Sequence, residues 1–391
     1  MSEWKTIRLR EICDSVDYGL TASASTEPVG PKFLRITDIV RPTFDWGTVP
    51  YVSVEPSRKE KYLLQHGDIV IARTGATTGE SKWIDSPPDA VFASYLVRLK
   101  ISKDVDSRFI GYVLKSDQFL AYVRAVVGDK SAQPNASATT LTNARIRIPT
   151  ARSMQRAIAA VLGALDDKIA VNERIVRTSD ELRRLLFANF LAIRAECTEE
   201  RPLTWFAEFI NGRAFTKGAT GTGRMVVRIA ELNSGPGGST VYNDIDVPDR
   251  HLARPGDVLF AWSGSLTVAR WYREEAIINQ HIFKVIPKRG VPVWLAYELV
   301  LSKLATFKSI AADKATTMGH IQRHHLEEPV VAPTADVIPS LHQELGPLWD
   351  RALAAEQESL ALARLRDELL PGLMSGAIRV RDAEKIAEDV T

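Results

Sequence analysis

The chain has 391 residues, 45% of them hydrophobic and 25% charged, with a formal net charge of +2 and a pI near 8.4. That length allows two or three domains with separate cores. No apolar run is long enough to span a bilayer, and the start MSEWKTIRLRE lacks the apolar stretch of a signal peptide, so a cytoplasmic protein with no membrane partner is expected.

Along the chain, short runs such as KFLRI, DIVIA and YLVRLK, bounded by Gly, Pro and Asp, predict strands. SRFIGYVLKSDQFLAYVRAVV (107–127) predicts an amphipathic helix. From Ile158 to Phe190 apolar and small residues follow the four-three alternation of a coiled-coil seam, with no Pro or Gly after Asp166. A helix of about 40 residues is about 60 Å long, more than a small domain needs. The second half then repeats the first. MVVRIAEL (225–232) falls on FLRITDI (33–39), GDVLFAWSG (256–264) on GDIVIARTG (67–75), and Pro333-Thr334 on Pro149-Thr150. The spacing between matches shrinks steadily, as loop deletions after a tandem duplication would make it. VWLAYELVLSKLATFKSIAA (293–312) predicts the second amphipathic helix, and a second seam follows, with Pro347 expected to interrupt or restart its helix.

The seam residues are Leu165, Ile169, Val176, Leu186 and Phe190 in the first long helix and Leu348, Leu362 and Leu369 in the second. Asn172, Ser179, Arg183 and Arg366 share the register. Each helix needs a partner for its stripe, and the simplest is its own copy, packed antiparallel because the chain must return. The fold class expected is therefore α/β (α+β). Two pseudo-repeated mixed α/β domains, 1–154 and 196–337, are separated by two long helices, 155–195 and 338–380, packed as an antiparallel coiled coil, with a tail at 381–391.

This order of motifs resembles the specificity subunit of type I restriction-modification systems, the HsdS family. The resemblance is carried by FLRITDI and VVRIAEL, by GDIVIARTG and GDVLFAWSG, and by INQHIFKV (278–285). QPNASATTLTNARIRIP (133–149), TTMGHIQRHHLEEPVVAP (316–333) and the terminal LLPGLMSGAIRV (369–380) add to it. One departure is FASYLVRL (92–99), where the second half has the more typical NQHIFKV. The resemblance implies a non-catalytic subunit whose two target-recognition domains each read half of a split double-stranded DNA site. Its helices would set the half-site spacing and dock two methyltransferase (M) subunits, with restriction (R) subunits joining the full complex. It implies no cofactor in this chain; S-adenosylmethionine, ATP and Mg belong to the partners.

Base edges are read by donors and acceptors on loops that enter a groove, and phosphates are held by Lys, Arg, Ser, Thr or backbone N–H groups. Four loop pairs qualify. Tyr18 and Thr21 are matched with Asn211-Gly212-Arg213, with Lys217 a further candidate; Arg73, Thr74, Thr77 and Thr78 are matched with Ser263 and Ser265 beside Trp262. Lys130, Ser131, Gln133 and Asn135 are matched with Lys314, Thr316, Thr317 and His320, and Arg145 with Arg323. Gly67-Asp68 and Gly256-Asp257 read as structural turns, His281 as a satisfied core histidine, and Trp83 and Trp271 as core.

Chemistry in this chain is not expected. Ser86-Pro87-Pro88-Asp89 lacks the amide and aromatic with which a DNA methyltransferase holds its target base, and TGATTG (74–79) is neither a P-loop nor a dinucleotide turn. Cys13 and Cys197 show no metal-ligand spacing, and no metal site is expected. The competing class is a non-catalytic protein-interaction scaffold of a related defence complex, which would bind without sequence preference and with weak salt dependence.

Overall fold

The run IVIA (69–72) is apolar at every position, which suits a strand covered on both faces, and it becomes the fully buried inner strand of a four-stranded antiparallel sheet. The computed structural model describes residues 3–41, 44–127, 135–313 and 319–388; Lys130, Ser131, Gln133, Lys314, Thr316 and Thr317 lie outside these. The chain forms two units, residues 1–168 with 361–391, and residues 169–360.

In the first unit the sheet runs Cys13–Tyr18, Leu96–Ile101, Ile69–Ala72, Ser81–Trp83. A parallel pair, Lys32–Leu34 with Ala90–Phe92, packs on it through a core containing Leu34, Val70, Ala72, Phe92 and Leu96. A ribbon of Trp4–Arg8 with Arg145–Pro149 joins the chain start to the long central helix. The stretch 107–127, expected as one helix, is two: Ser107–Val113 and Asp117–Val127. Ser116 causes the break. Its hydroxyl and its N–H both donate to the Val113 carbonyl, closing one helix, and its own carbonyl takes the Leu120 N–H to open the next.

The second unit repeats this plan. Its sheet runs Ala207–Asn211, Ile282–Pro287, Val258–Ala261, Thr267–Arg270, the parallel pair is Arg224–Val227 with Ala276–Ile278, and the ribbon is Thr198–Pro202 with Pro329–Pro333. Its amphipathic helix, Val293–Asp313, is unbroken. The repeat reaches side chains. Arg35 pairs with buried Asp38 as Arg228 pairs with buried Glu231. Arg98 and Lys284, buried at matching strand positions, donate to the matching carbonyls of Leu63 and Leu252. Gly67 and Gly256 turn with φ of 88° and 94°, beside Asp68 and Asp257, whose carboxylates take the N–H of Gln65 and Arg254. Both turns are structural.

Two long helices, Arg152–Ile193 and Ile338–Ser375, contribute to both units. Within the first unit Leu162, Leu165, Leu362, Leu369 and Leu373 are buried, and Arg366 Nη1 lies 2.6 Å from Asp166. Within the second, Asn172 Nδ2 donates to Glu358 at 2.8 Å, and the Arg183 guanidinium lies 5.1 Å from the Trp349 ring. In the second unit, moving forward on one helix moves backward on the other, so the pairing is antiparallel, with buried Ala352 and Ala355 permitting close approach.

Two expectations are corrected here. Leu186 is not a seam residue: it is 42% exposed, and buried Phe187 packs edge-on against Trp294 in its place. A straight helix drifts from a strict heptad, so after Arg183 the buried face advances by four rather than three. Pro347 does not break the second helix, which runs through it. Leu341, Leu345 and Trp349 lie in one core cluster around that turn, and their packing outweighs the lost hydrogen bond.

Candidate nucleic-acid interface

Each unit gathers four residues at one end of its four-stranded sheet, one closing a strand and three in the adjoining connections, on equivalent backbone. In the first unit Tyr18 closes its strand, and Gly19 lets the chain pass so near Phe92 and Ala93 that a Cβ there would sit 2.2 Å from the Ala93 carbonyl oxygen. Gly212 holds the same place in the second unit, with 2.1 Å to the Asn279 oxygen. Only glycine permits this approach, and it fixes Tyr18 and Asn211 at matching points.

Arg73 follows the buried inner strand. Its N–H donates to the Tyr95 carbonyl, and its own carbonyl accepts from Ala136. Its guanidinium lies 4.9 Å over the Tyr18 ring and donates from Nη2 to Asn135 Oδ1 at 3.1 Å. Tyr18 in turn accepts the Ala138 N–H at 2.9 Å. The rings of Tyr18 and Tyr95 remain exposed, at 44% and 59%. In the second unit Trp262 stands where Arg73 does: its N–H donates to the His281 carbonyl and its carbonyl accepts from Ile321. Its indole donates to Asn211 Oδ1 at 2.8 Å. The His281 ring lies 5.2 Å from the indole and the His320 ring 6.3 Å. Thr74 bridges to Asn135 as Ser263 bridges to His320.

The frame is thus common and the side chains differ. The first cluster is Tyr18, Arg73, Tyr95 and Asn135; the second is Asn211, Trp262, His281 and His320. A planar cation beside a side-chain amide suits hydrogen bonding to base edges. Indole and imidazole present stacking faces and ring nitrogens.

Around these clusters Thr21, Arg213, Lys217 and Ser265 are exposed, and Thr74, Thr77 and Thr78 half-buried, Thr78 Oγ1 donating to the Gly75 carbonyl. Ser263 is buried. Arg145 and Arg323 are not counterparts. Arg145 begins the ribbon strand whose equivalent begins at Pro329, whereas Arg323 opens a short 3-10 helix and donates to the Phe209 carbonyl. It lines a cavity of about 460 Å³ with Arg250, Lys288 and His324. His281 is corrected most sharply: it is exposed, with φ of 74°, not a core histidine. Trp271 is buried as expected, and Trp83 is half-buried. Among the described residues no group of three or more His, Cys, Asp or Glu is placed to hold a metal, and no helix is long and apolar enough to cross a membrane.

The chain is thus a tandem repeat of a mixed α/β unit, each copy carrying its own loop cluster on a shared frame. Residues 1–177 match the family of the type I restriction modification DNA specificity domain. The MjaIX specificity subunit of Methanocaldococcus jannaschii is 22% identical over 81% of this chain and 76% of its own length. The HindI specificity subunit of Haemophilus influenzae is 22% identical over 49% of this chain and 41% of its own. The S subunit structure from M. genitalium shares the fold, with a TM-score of 0.59, 14% identity and coverage of 95% of this chain and 96% of that one. The first half of the chain is thus similar to the type I restriction modification DNA specificity domain, and the second half repeats the fold of the first. The chain is related to the specificity subunits of those systems.

Proposed function

We propose that the chain is the non-catalytic specificity subunit of a type I restriction-modification complex, each lobe reading one half of a bipartite double-stranded DNA site. The observation that carries this is the pair of loop clusters, equivalent in backbone and different in side chains, as asymmetric half-sites require. In the first lobe Arg73 and Asn135 read base edges from the major groove, Arg to guanine and Asn to adenine, with Tyr18 and Tyr95 beside them. In the second, Trp262, His281 and His320 take the equivalent role, and Arg323 with Arg250 holds backbone phosphate. Lys130, Ser131, Gln133, Lys314, Thr316 and Thr317, outside the described residues, are further candidates for DNA contact by residue type.

The paired helices fix the separation of the half-sites and dock two methyltransferase subunits; restriction subunits join these. An outward stripe of Leu182, Leu185, Leu186 and Ile193, all exposed, supports that docking. S-adenosylmethionine, ATP and Mg act in those partners. The test is co-expression with the cognate methyltransferase subunit and mapping of modified bases. Arg73→Ala should relax specificity in one half of the modified site, and Trp262→Ala in the other. A change in both halves from either variant contradicts the assignment.

A further inference from the structure

Where each lobe meets the paired helices, equivalent positions hold opposite kinds of side chain. Ile69 pairs with Trp83 across the first sheet and Val258 with Arg270 across the second, so Trp83 and Arg270 are equivalent. On the helix after the sheet, Arg108 and Tyr112 correspond to Trp294 and Glu298; on the long helices, Asp166 corresponds to Trp349. Each charge in one unit is a ring in the other. One position is common: an arginine, Arg366 in the first unit and Arg183 in the second.

In the first unit Arg366 Nη1 donates to Asp166 Oδ1 at 2.6 Å, and Tyr112 OH donates to Asp166 Oδ2 at 2.7 Å. Arg108 stands 5.0 Å over the Trp83 ring. In the second unit Arg183, 0% exposed, donates from Nε to Glu298 at 3.0 Å and from Nη1 to Asp180 at 2.6 Å. Trp349 carries two guanidinium groups near its ring, Arg183 at 5.1 Å and Arg270 at 4.5 Å. Arg270 is held by Glu356 at 2.7 Å and by Asp180 at 3.2 Å.

A guanidinium taken out of water needs a carboxylate and is well placed against a planar ring. Either side of the junction can supply either group. In the first unit the long helix supplies the carboxylate, Asp166, and the lobe supplies the Tyr112 hydroxyl that shares it. In the second the lobe's Glu298 joins the long helix's own Asp180 on the arginine, and the other long helix supplies the ring, Trp349. Crossing the sets sets Tyr against Trp and removes a carboxylate from a buried arginine, or sets Glu against Asp with two carboxylates competing for it. Both mismatches are penalised.

We propose that residues 112 with 166, and 298 with 349, are coupled positioning pairs that seat each lobe on its own helix segment and exclude the other lobe from it. The pairing is independent of whether the lobes bind DNA. A lobe exchanged with a boundary at residue 337 leaves Trp349 behind and separates a matched pair; a boundary beyond Trp349 keeps it.

The test uses the full chain with Glu298→Tyr, Trp349→Asp and the two together, and the reciprocal Tyr112→Glu, Asp166→Trp and their double. Soluble yield and thermal midpoint are read. Each single change should lower the midpoint by roughly 5–15 °C or abolish soluble expression. Each double should recover at least half of the loss, because it recreates the other unit's arrangement around the same arginine. Losses that merely add, or doubles as insoluble as the singles, in either unit, overturn the proposal. DNA enters none of these readings, so their failure is distinct from failure of the function proposed above.

Discussion

Arg73 sits in a fixed setting that bears on the proposed readout. Its guanidinium is oriented by Asn135 and by the Tyr18 ring, so a ligand meets a fork already aimed rather than a free chain. Replacing it with alanine should cost about 1–3 kcal/mol of binding to sites with the correct first half-site, roughly 5- to 150-fold in affinity, and little toward sites that already lack it. Binding titrations with half-site variants check this. A second residue-scale prediction concerns His251, buried against the Phe215 ring. Burial, and then Arg213 and Arg250, hold its pKa below the ordinary histidine value. The folded state therefore favours neutral imidazole. Its contribution to stability is full above the unfolded value of about 6.5 and is lost as pH falls through the lower folded value. The thermal midpoint should drop between pH 7 and 5, and His251→Phe should flatten that drop. An unchanged slope would exclude His251 as its source. At this scale legibility was uneven. Arg73, Tyr18, Asn135 and His320 announced themselves as polar or aromatic residues on loops after strands. His281 and Tyr95 did not, because their exposure depends on a tight backbone turn, with φ of 74° at His281, that no side-chain pattern encodes.

The long helices show what periodicity can and cannot say. Length, register and partner were readable because the four-three seam recurs from Ile158 to Phe190, within a helix of 42 residues. Which residue fills a given turn was not, since drift of the helix face decides between Leu186 and Phe187. Pro347 and Ser116 are the reverse pair: one breaks no helix because a core surrounds it, the other ends one through hydrogen bonds of its own. Two substitutions on the central helix should separate its faces. Leu162→Ala, fully buried, should cost about 2–5 kcal/mol of stability by denaturant titration. Leu185→Glu, exposed, should change stability by no more than about 0.5 kcal/mol, yet weaken co-purification with the methyltransferase subunit. Retained co-purification would remove the leucine stripe from the docking surface.

For the whole molecule, duplication accounts for both the likeness and the difference of the halves. Sheet order, parallel pair, ribbon, turn glycines and buried cation repeat, while the loop clusters and the lobe–helix junctions diverge. Under the proposed function, a frame kept twice with two different side-chain sets suits an asymmetric split site, on a platform alike enough for two identical partners. The most direct measurement is single-molecule sequencing of a genome modified by this chain with its cognate methyltransferase subunit. The account predicts a split motif, two short specified blocks around an unspecified gap of fixed length. A continuous motif, or a stable complex that modifies no defined sequence, would contradict it.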